Sequence, residues 1–532
     1  MWFKIKNDKL YRAKFVTLIL FICIITALAW QSDDAYHAYV MAKNLVLGNG
    51  FVYNVGERVT ASSCPLFTLI IALGYLVFRK MFLVSLLICV IFSSLAYHIV
   101  VKYFCKSVKQ VFFAFFVLVS STCFISYTTS GLENCLLFFL TALFLKTYFG
   151  SDKYGVKELF IMALLVALIA TTRMDAVLLV VPMVLYAYLA KRNNVSFIKA
   201  VGIGVAGLLP FVIWELFSLF YYGFLVPNTA FVKLGTGIPG IEYIKRGLMY
   251  LFTSAMCDVL LIAIPVLSVL VSLIVRKWKN LYCSLGVVLY IGYVIYIGGD
   301  FMLGRHFTVM FLMSLISLLD MNNREEEASV KKKVIEKVAV CLAAAGIVIN
   351  MASPVITSQY LFGTGNSPIA DERAGYFKYT SLFNNTLSVL KTGKMVIRDA
   401  WNEKGITELR DAGYTSGIIR MVPGITIYYN SDMYLNDQYA LGDPFLSKLP
   451  AVREENWRIG HMYREVPEDY YYSIYTQENC MSDEKLHEYL DVIWLITRGD
   501  LTDGNRIKAI IDFNLGKYDY LLEDYTKSLG ID

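Results

Sequence analysis

Charge is scarce in this sequence. Only 17% of its 532 residues are Asp, Glu, Lys or Arg, whereas soluble globular domains carry about a quarter. Together with 57% apolar residues and a mean hydropathy of +0.54, this deficit excludes a soluble enzyme on a single anchor and points to a polytopic membrane protein. Basic patches interleaved with aromatics are missing and the formal net charge is only +6, so nucleic acid is not an expected partner. The ten cysteines are scattered, mostly inside apolar runs (Cys23, Cys89, Cys257, Cys341). No CxxC pair or Cys/His ligand spacing occurs, so a zinc site or a disulfide framework has no support. No small-x-small cleavage site precedes Asp33, and the apolar run 15–30 therefore reads as a retained signal anchor. Internal repeats and low-complexity tracts are also missing. The richness in Lys, Ile, Tyr and Asn suggests an AT-rich bacterial genome.

What is present is a series of long apolar runs. A span needs roughly 20 apolar residues. Candidates lie near 15–30, 82–101, 110–128, 132–149, 158–172, 176–190, 197–220, 257–275, 281–298, 306–320 and 334–353. The run "PLFTLIIALGYLVF" at 65–78 is short for a span and suits an interfacial or re-entrant helix. Charge supports that reading. Lys4, Lys6, Lys9, Arg12 and Lys14 place the N-terminus in the cytoplasm. If 65–78 does not cross, then Lys102/Lys106/Lys109, Lys153/Lys157, Lys191/Arg192/Lys199, Arg276/Lys277/Lys279 and Lys331–Lys333 all fall on the cytoplasmic side; if it crosses, all of them flip. The expected protein is an α-helical, multi-pass protein of the bacterial cytoplasmic membrane with about eleven transmembrane helices, N-terminus in and C-terminus out.

The chain then divides into a transmembrane module, 1–353, and an extracytoplasmic domain, 354–532, which is polar, Tyr-rich and free of further spans. The runs "KMVIRD", "GITIYYN" and "LDVIWLITRG" look like strands, and "SDEKLHEYL" (with a Ser N-cap) and "NRIKAIIDFNL" look like helices, which makes this domain α+β.

With this topology the unusual polar residues gather on the outer side: Asp33, Asp34, His37, Arg58, Glu133, Arg173, Asp175, Asn228, Lys233, Asp300, Arg305 and His306. Cations there suit a phosphate, and a carboxylate suits proton chemistry. Each motif has a plainer account. Ser32 or Asp33 can cap a helix over 35–47, which itself is half polar and suited to the interface plane. Glu133 can be a solvated span end, Arg173 and Asp175 a structural pair, Asp300 a turn residue, and Arg305-His306 an interfacial anchor. Their joint placement on one face is what favours a lipid-phosphate substrate.

The run "DDAYHAYVMAKNLVLGNGFVYNVGERVTASSCPL" resembles the first outer loop of GT-C membrane glycosyltransferases, most of all the branch that holds the terminal arabinofuranosyltransferases of actinobacterial cell-wall arabinan. "SGLEN", "TTRMDAVLL", "VPNTAFVKL", "GGDFMLGRHF" and the tail "GDPFLSKLPAVREENWRIGHMYREVPEDY" resemble that branch's later motifs in the same order. The resemblance implies a GT-C fold and an inverting transfer of a sugar from a polyprenyl-phosphate donor to a surface-glycan or wall-polymer hydroxyl. It implies Asp33 or Asp34 as general base, Arg58, Arg173, Lys233 and Arg305 toward the donor phosphate, and His37, Glu133, Asp175, Asn228, Asp300 and His306 toward sugar and acceptor. No cofactor is expected; a divalent metal is left open, since no ligand spacing demands one. The chain departs from the branch at Thr60-Ala61, Cys64 and Met174, so the sugar need not be arabinofuranose. The competing expectation is a transporter or flippase for lipid-linked sugars or polysaccharide with an outer glycan-binding domain.

Overall fold

The computed structural model describes residues 8–189, 195–233, 236–324, 330–352, 368–399, 403–419, 423–452 and 457–530. Lys4, Lys6, Lys191, Arg192 and the module boundary near 353 lie outside the described residues. The chain is mostly helical, and it forms two compact units, each assembled from three separate stretches.

The first unit comprises Met1–Gln31, Ser85–Phe211 and Gly240–Asn384. Asp8 starts its first helix, Lys9–Ala27, by accepting the Leu10 and Tyr11 N–H groups at 2.8 and 3.1 Å. Among the described residues four helices are long and apolar enough to cross a membrane: Lys9–Ala27, Met81–Phe104, Phe197–Tyr221 and Trp278–Tyr296. Two bent pairs bring the number to six if each counts as one span, against the eleven expected. Several of the other runs form shorter apolar helices, including Asn134–Gly150, Met174–Leu189 and Phe307–Asn323.

The two bends share a cause. Val108–Ser120 turns by 82° into Thr122–Thr128, and Gly240–Cys257 turns by 106° into Val259–Val275. Asp258 sits at the second break and caps Val259–Val275 through the Leu261 N–H at 3.2 Å. The same buried carboxylate accepts the Ser121 hydroxyl (2.6 Å) and the Cys123 N–H (3.0 Å) at the first break. An apolar run read from sequence as one span, 110–128, is thus interrupted where Ser121 leaves helical geometry and caps the next helix.

Glycine sets how closely the remaining helices approach. A methyl group on Gly286, in Trp278–Tyr296, would run into the Leu179 carbonyl of Val177–Leu189. One on Gly247, in Gly240–Cys257, would run into the Ile295 backbone. Such backbone-to-backbone contact is the packing mode available where apolar burial alone does not drive association.

The second unit comprises Ser32–Val84, Val212–Pro239 and Asn385–Asp532. Pro65–Phe78 forms a helix over the bounds read from sequence; it buries Phe67, Ile71 and Ala72 and leaves Leu73, Leu76, Val77 and Phe78 exposed. Ala35–Leu47 differs from expectation. It is buried from Ala35 to Ala42 rather than half polar at an interface, because its polar residues find partners inside the unit. Asn44 donates to the Val52 and Tyr53 carbonyls, and Lys43 to the Tyr428 carbonyl and the Ser431 hydroxyl.

The sheet is small: β1 (Ser416–Ile419) pairs in parallel with β2 (Tyr434–Asp437), with Ser416 opposite Tyr434 and Ile419 opposite Asp437. Parallel neighbours need a crossover of a dozen or more residues, and here it carries the helix Pro423–Tyr429. That helix occupies "GITIYYN", one of the three runs expected to be strands. Pro423 at its first position presets a helical φ, and a carboxylate described below takes up its leading N–H groups. "KMVIRD" contains the helical turn Val396–Asp399. "LDVIWLITRG" continues the helix Glu484–Arg498, whose Leu486, Tyr489, Leu490, Ile493, Ile496 and Thr497 are buried at helical rather than alternating spacing. The N-cap of this helix is Asp483, not Ser482: its carboxylate accepts the Leu486 N–H at 2.9 Å. "NRIKAIIDFNL" is helical, as expected, over Gly504–Asn514.

Gly286→Ala and Gly247→Ala should each destabilise the detergent-solubilised protein by about 1–3 kcal/mol, the usual cost of overpacking. Gly202→Ala, where a methyl group meets open space, should leave the thermal transition unchanged. Equal melting temperatures for all three variants would contradict the close approach.

Candidate functional site

The residues singled out from sequence fall into two constellations, one in each unit. In the second unit the chain enters at Ser32, and Asp33 is buried at once. Its Oδ1 accepts the Ile425 N–H at 2.7 Å and its Oδ2 the Gly424 N–H at 3.2 Å. One of the two acids is therefore a helix cap, but of Pro423–Tyr429 rather than of Ala35–Leu47. Asp34 stands at the N-cap of Ala35–Leu47, makes no side-chain cap there, and is only half-buried. Gly424 has no room for a side chain, since a methyl group would strike the Asp33 carbonyl oxygen.

One turn on, His37 is buried and its Nδ1 lies 2.7 Å from the Tyr53 hydroxyl. Asp33, Asp34 and His37 each offer one ligand atom, and these atoms lie within 4.8 Å of one another. Burial pushes the Asp33 carboxyl up to about 7, with the negative charges of Asp34 and Asp437 adding to it and the Ile425 and Gly424 N–H groups pulling against it. Burial also lowers the His37 pKa, against the pull of Asp437, which favours a neutral ring.

Two of the remaining predicted residues of this unit hold backbone. Arg58 donates to the Gly499 and Ile496 carbonyls at the end of Glu484–Arg498. Asn228 donates to the Ala440, Leu441 and Asp443 carbonyls and accepts the Ser447 hydroxyl at 2.7 Å. Lys233 is exposed.

In the first unit Glu133, Arg173, Asp175, Asp300, Arg305 and His306 come together, although they are spread over more than 170 residues of sequence. Arg305 donates through Nη2 to both Glu133 oxygens at 2.9 and 3.1 Å. Arg173 reaches Glu133 through Nη1 (3.1 Å), Asp175 through Nε (2.8 Å) and the His306 ring through Nη2 (2.8 Å). His306 Nε2 is 3.5 Å from Asp300, and the Tyr290 hydroxyl donates to Asp175 at 3.2 Å. Three carboxylates face two guanidiniums and one imidazole, so the cluster balances most of its charge internally.

Reading the sequence alone missed several partners. Tyr53 and Gly424 hold His37 and Asp33, and neither carries a motif that marks it. Glu57 is buried in a pair with Arg498 (2.9 Å) and accepts the Tyr434 hydroxyl (2.7 Å); it stands beside Arg58 in "GERV" and was legible there. Asp443, in "GDPF", accepts the Phe445 and Leu446 N–H groups and the Tyr470 hydroxyl. Compared with known proteins, the chain matches no family model, no curated protein and no solved structure.

Two outcomes follow from this geometry. The ordinary Asp33 value is 3.8 and the folded one about 7, so the fold favours protonated Asp33; that advantage is complete below about 4 and is lost as pH rises through about 7. In chelator-treated protein the melting temperature of wild type should fall relative to Asp33→Asn between pH 5 and pH 8; a constant difference would contradict the buried carboxyl. Glu133→Ala removes the buried carboxylate that two largely buried guanidiniums share and should cost roughly 3–5 kcal/mol. Arg410→Ala, which breaks the exposed pair with Asp432, should cost about 0–1 kcal/mol in the same melting assay.

Proposed function

We propose that this protein is an integral-membrane glycosyltransferase of the GT-C type, moving a sugar from a polyprenyl-phosphate donor to a hydroxyl of a surface glycan or wall polymer on the outer face. The observation that carries the proposal is the ordered set of motifs beginning with "DDAYHAYVMAKN". The contrasting surroundings of the two acids in that first motif support it. Asp33 is spent on the Pro423–Tyr429 N–H groups, while Asp34, beside it, is the less buried of the two and is assigned the proton chemistry.

In the reaction the acceptor O–H gives its proton to Asp34 as its oxygen attacks the anomeric carbon. The bond from that carbon to the phosphate oxygen breaks, and its electron pair leaves with the polyprenyl phosphate. A single displacement inverts the anomeric centre. Asp33 positions Asp34 by fixing the chain immediately before it. Among the four cations that the resemblance directs to the phosphate, Arg58, Arg173 and Arg305 are engaged by carbonyls or carboxylates, and Lys233 is exposed. Lys233 is therefore assigned the donor phosphate. The donor sugar is arabinofuranose in the branch this chain resembles, and the departures at Thr60-Ala61, Cys64 and Met174 are the positions at which another sugar would be selected.

The test is transfer by the purified protein in nanodiscs, with synthetic polyprenyl-phosphate arabinofuranose and a hexose analogue as donors. Asp34→Asn should lower kcat by about 10²–10⁴-fold, the range of a lost general base, while the protein inserts and melts like wild type. Lys233→Ala should raise KM for the donor with little change in kcat. Full activity in both Asp33→Asn and Asp34→Asn would sink the assignment. Movement of lipid-linked sugar across the bilayer without transfer would establish the transporter reading instead.

A further inference from the structure

The helix Gly504–Asn514 turns an apolar side outward, which a water-facing domain does not need. Arg506, Ala509 and Ile510 are buried in the unit. Ile507, Ile511 and Leu515, the last being the C-cap residue, are 41%, 53% and 68% exposed. A spacing of four residues sets the three in one stripe. Single exposed apolar residues are ordinary, whereas a row of large ones marks a surface that meets something other than water.

Bonds within the same unit fix where this stripe sits. Arg506, in the first turn, donates through Nη2 to the Phe220 and Tyr221 carbonyls at 3.0 and 2.9 Å. Asn514, at the last position, donates to the Gly223 carbonyl at 2.8 Å. Gly223 is packed so closely that a methyl group on it would strike Ile496 and Ile510. Both ends of a helix ~16 Å long are thus tied to the segment 220–223. That segment ends Phe197–Tyr221, a helix long and apolar enough to cross a membrane. Its last turns expose Ile213, Leu216 and Phe220. Trp214, Phe217 and Tyr221 follow one another along it, with ring centroids 5.5 and 5.0 Å apart. Trp and Tyr gather where acyl chains give way to headgroups.

We propose that Gly504–Asn514 lies in the membrane–water interface, with Ile507, Ile511 and Leu515 inserted among lipid acyl chains. The occupant is lipid because the stripe is held at the aromatic end of a helix whose own exposed side chains are apolar. Lys517 is paired with Asp512 at 2.6 Å, so the stripe asks for acyl chains rather than for anionic headgroups. An apolar face sunk into the headgroup boundary is the usual mode of an interfacial helix. The unit then has a seat on the bilayer besides the span. The inference rests on Phe197–Tyr221 as a span and not on sugar transfer.

The experiment places p-benzoylphenylalanine at one position at a time in the full-length protein, in phosphatidylcholine nanodiscs. After irradiation the intact mass is read. Replacement of Ile507, Ile511 or Leu515 should give adducts heavier by one phospholipid, in at least fivefold higher yield than replacement of Asn505 or Lys527, which are exposed and polar. Three positions on the stripe keep the result readable if one variant fails to fold. Ile213, on the span, is the positive control. Stripe yields no higher than at Asn505, with Ile213 labelled, overturn the interfacial helix. Cross-links to a second copy of the chain in place of lipid overturn it in favour of a dimer contact. No lipid adduct at Ile213 removes the span, and the proposal with it.

Discussion

Two hydrogen bonds organise the second unit: the Gly424 and Ile425 N–H groups to the Asp33 carboxylate. A helix presents its partial positive charge and its unpaired N–H groups at the N-terminus, and Asp33 meets both. The bond pair ties residue 33 to the crossover helix of the β1–β2 pair, nearly 400 residues later. It requires glycine at 424, because any side chain would collide with the Asp33 backbone. It also separates the adjacent acids: Asp33 accepts an N–H on each oxygen and is held in place, whereas Asp34 is half-buried.

The rest of the unit repeats this device with neutral and cationic side chains. Asn54 gives its amide protons to the Leu435 carbonyl and the Asn436 side chain and takes the Leu435 N–H in return. Asn228 gathers three carbonyls between 440 and 443. Arg464 reaches the Val232 and Leu449 carbonyls, and Arg506 the Phe220 and Tyr221 carbonyls. The three stretches of the unit are far apart in sequence, and a short two-strand sheet offers few ladder bonds to join them. Buried side-chain-to-backbone bonds supply the register that a larger sheet would provide, and they bring the apolar residues around Phe445, Tyr470, Leu490 and Ile493 into one core.

Legibility followed the physics of each element. Long apolar helices and the bounds of Pro65–Phe78 and Gly504–Asn514 could be read because periodicity and a starting residue act locally. "GITIYYN" misled because β-branched and aromatic residues dominate it, while the groups that decide its state, Pro423 and Asp33, lie outside the run. "LDVIWLITRG" misled because it was read apart from "SDEKLHEYL", the first turns of the same helix. The bends at Ser121 and Asp258 are invisible in a hydropathy profile, since one buried carboxylate makes both. Within the candidate site, the acids and His37 were legible as residue types. Tyr53 and Gly424 were not, because their roles exist only once distant stretches meet.

The two polar constellations handle charge in opposite ways, and this bears on their chemistry. In the first unit Glu133 is shared by Arg173 and Arg305, and Asp175 and Asp300 complete the count against His306. A phosphate arriving there would have to displace carboxylates already bonded to both guanidiniums, so this cluster suits holding segments in place better than gripping an anion. Around Asp33 the answering groups are N–H dipoles, while the neighbouring charges of Asp34 and Asp437 are negative. A dipole can orient a carboxylate without cancelling its charge. Asp33 thus stays a buried acid among negative neighbours, beside an imidazole whose Nε2 has no hydrogen-bond partner among the described residues. Fold stability alone does not call for such an arrangement, since replacing buried charge with apolar packing is often neutral or favourable.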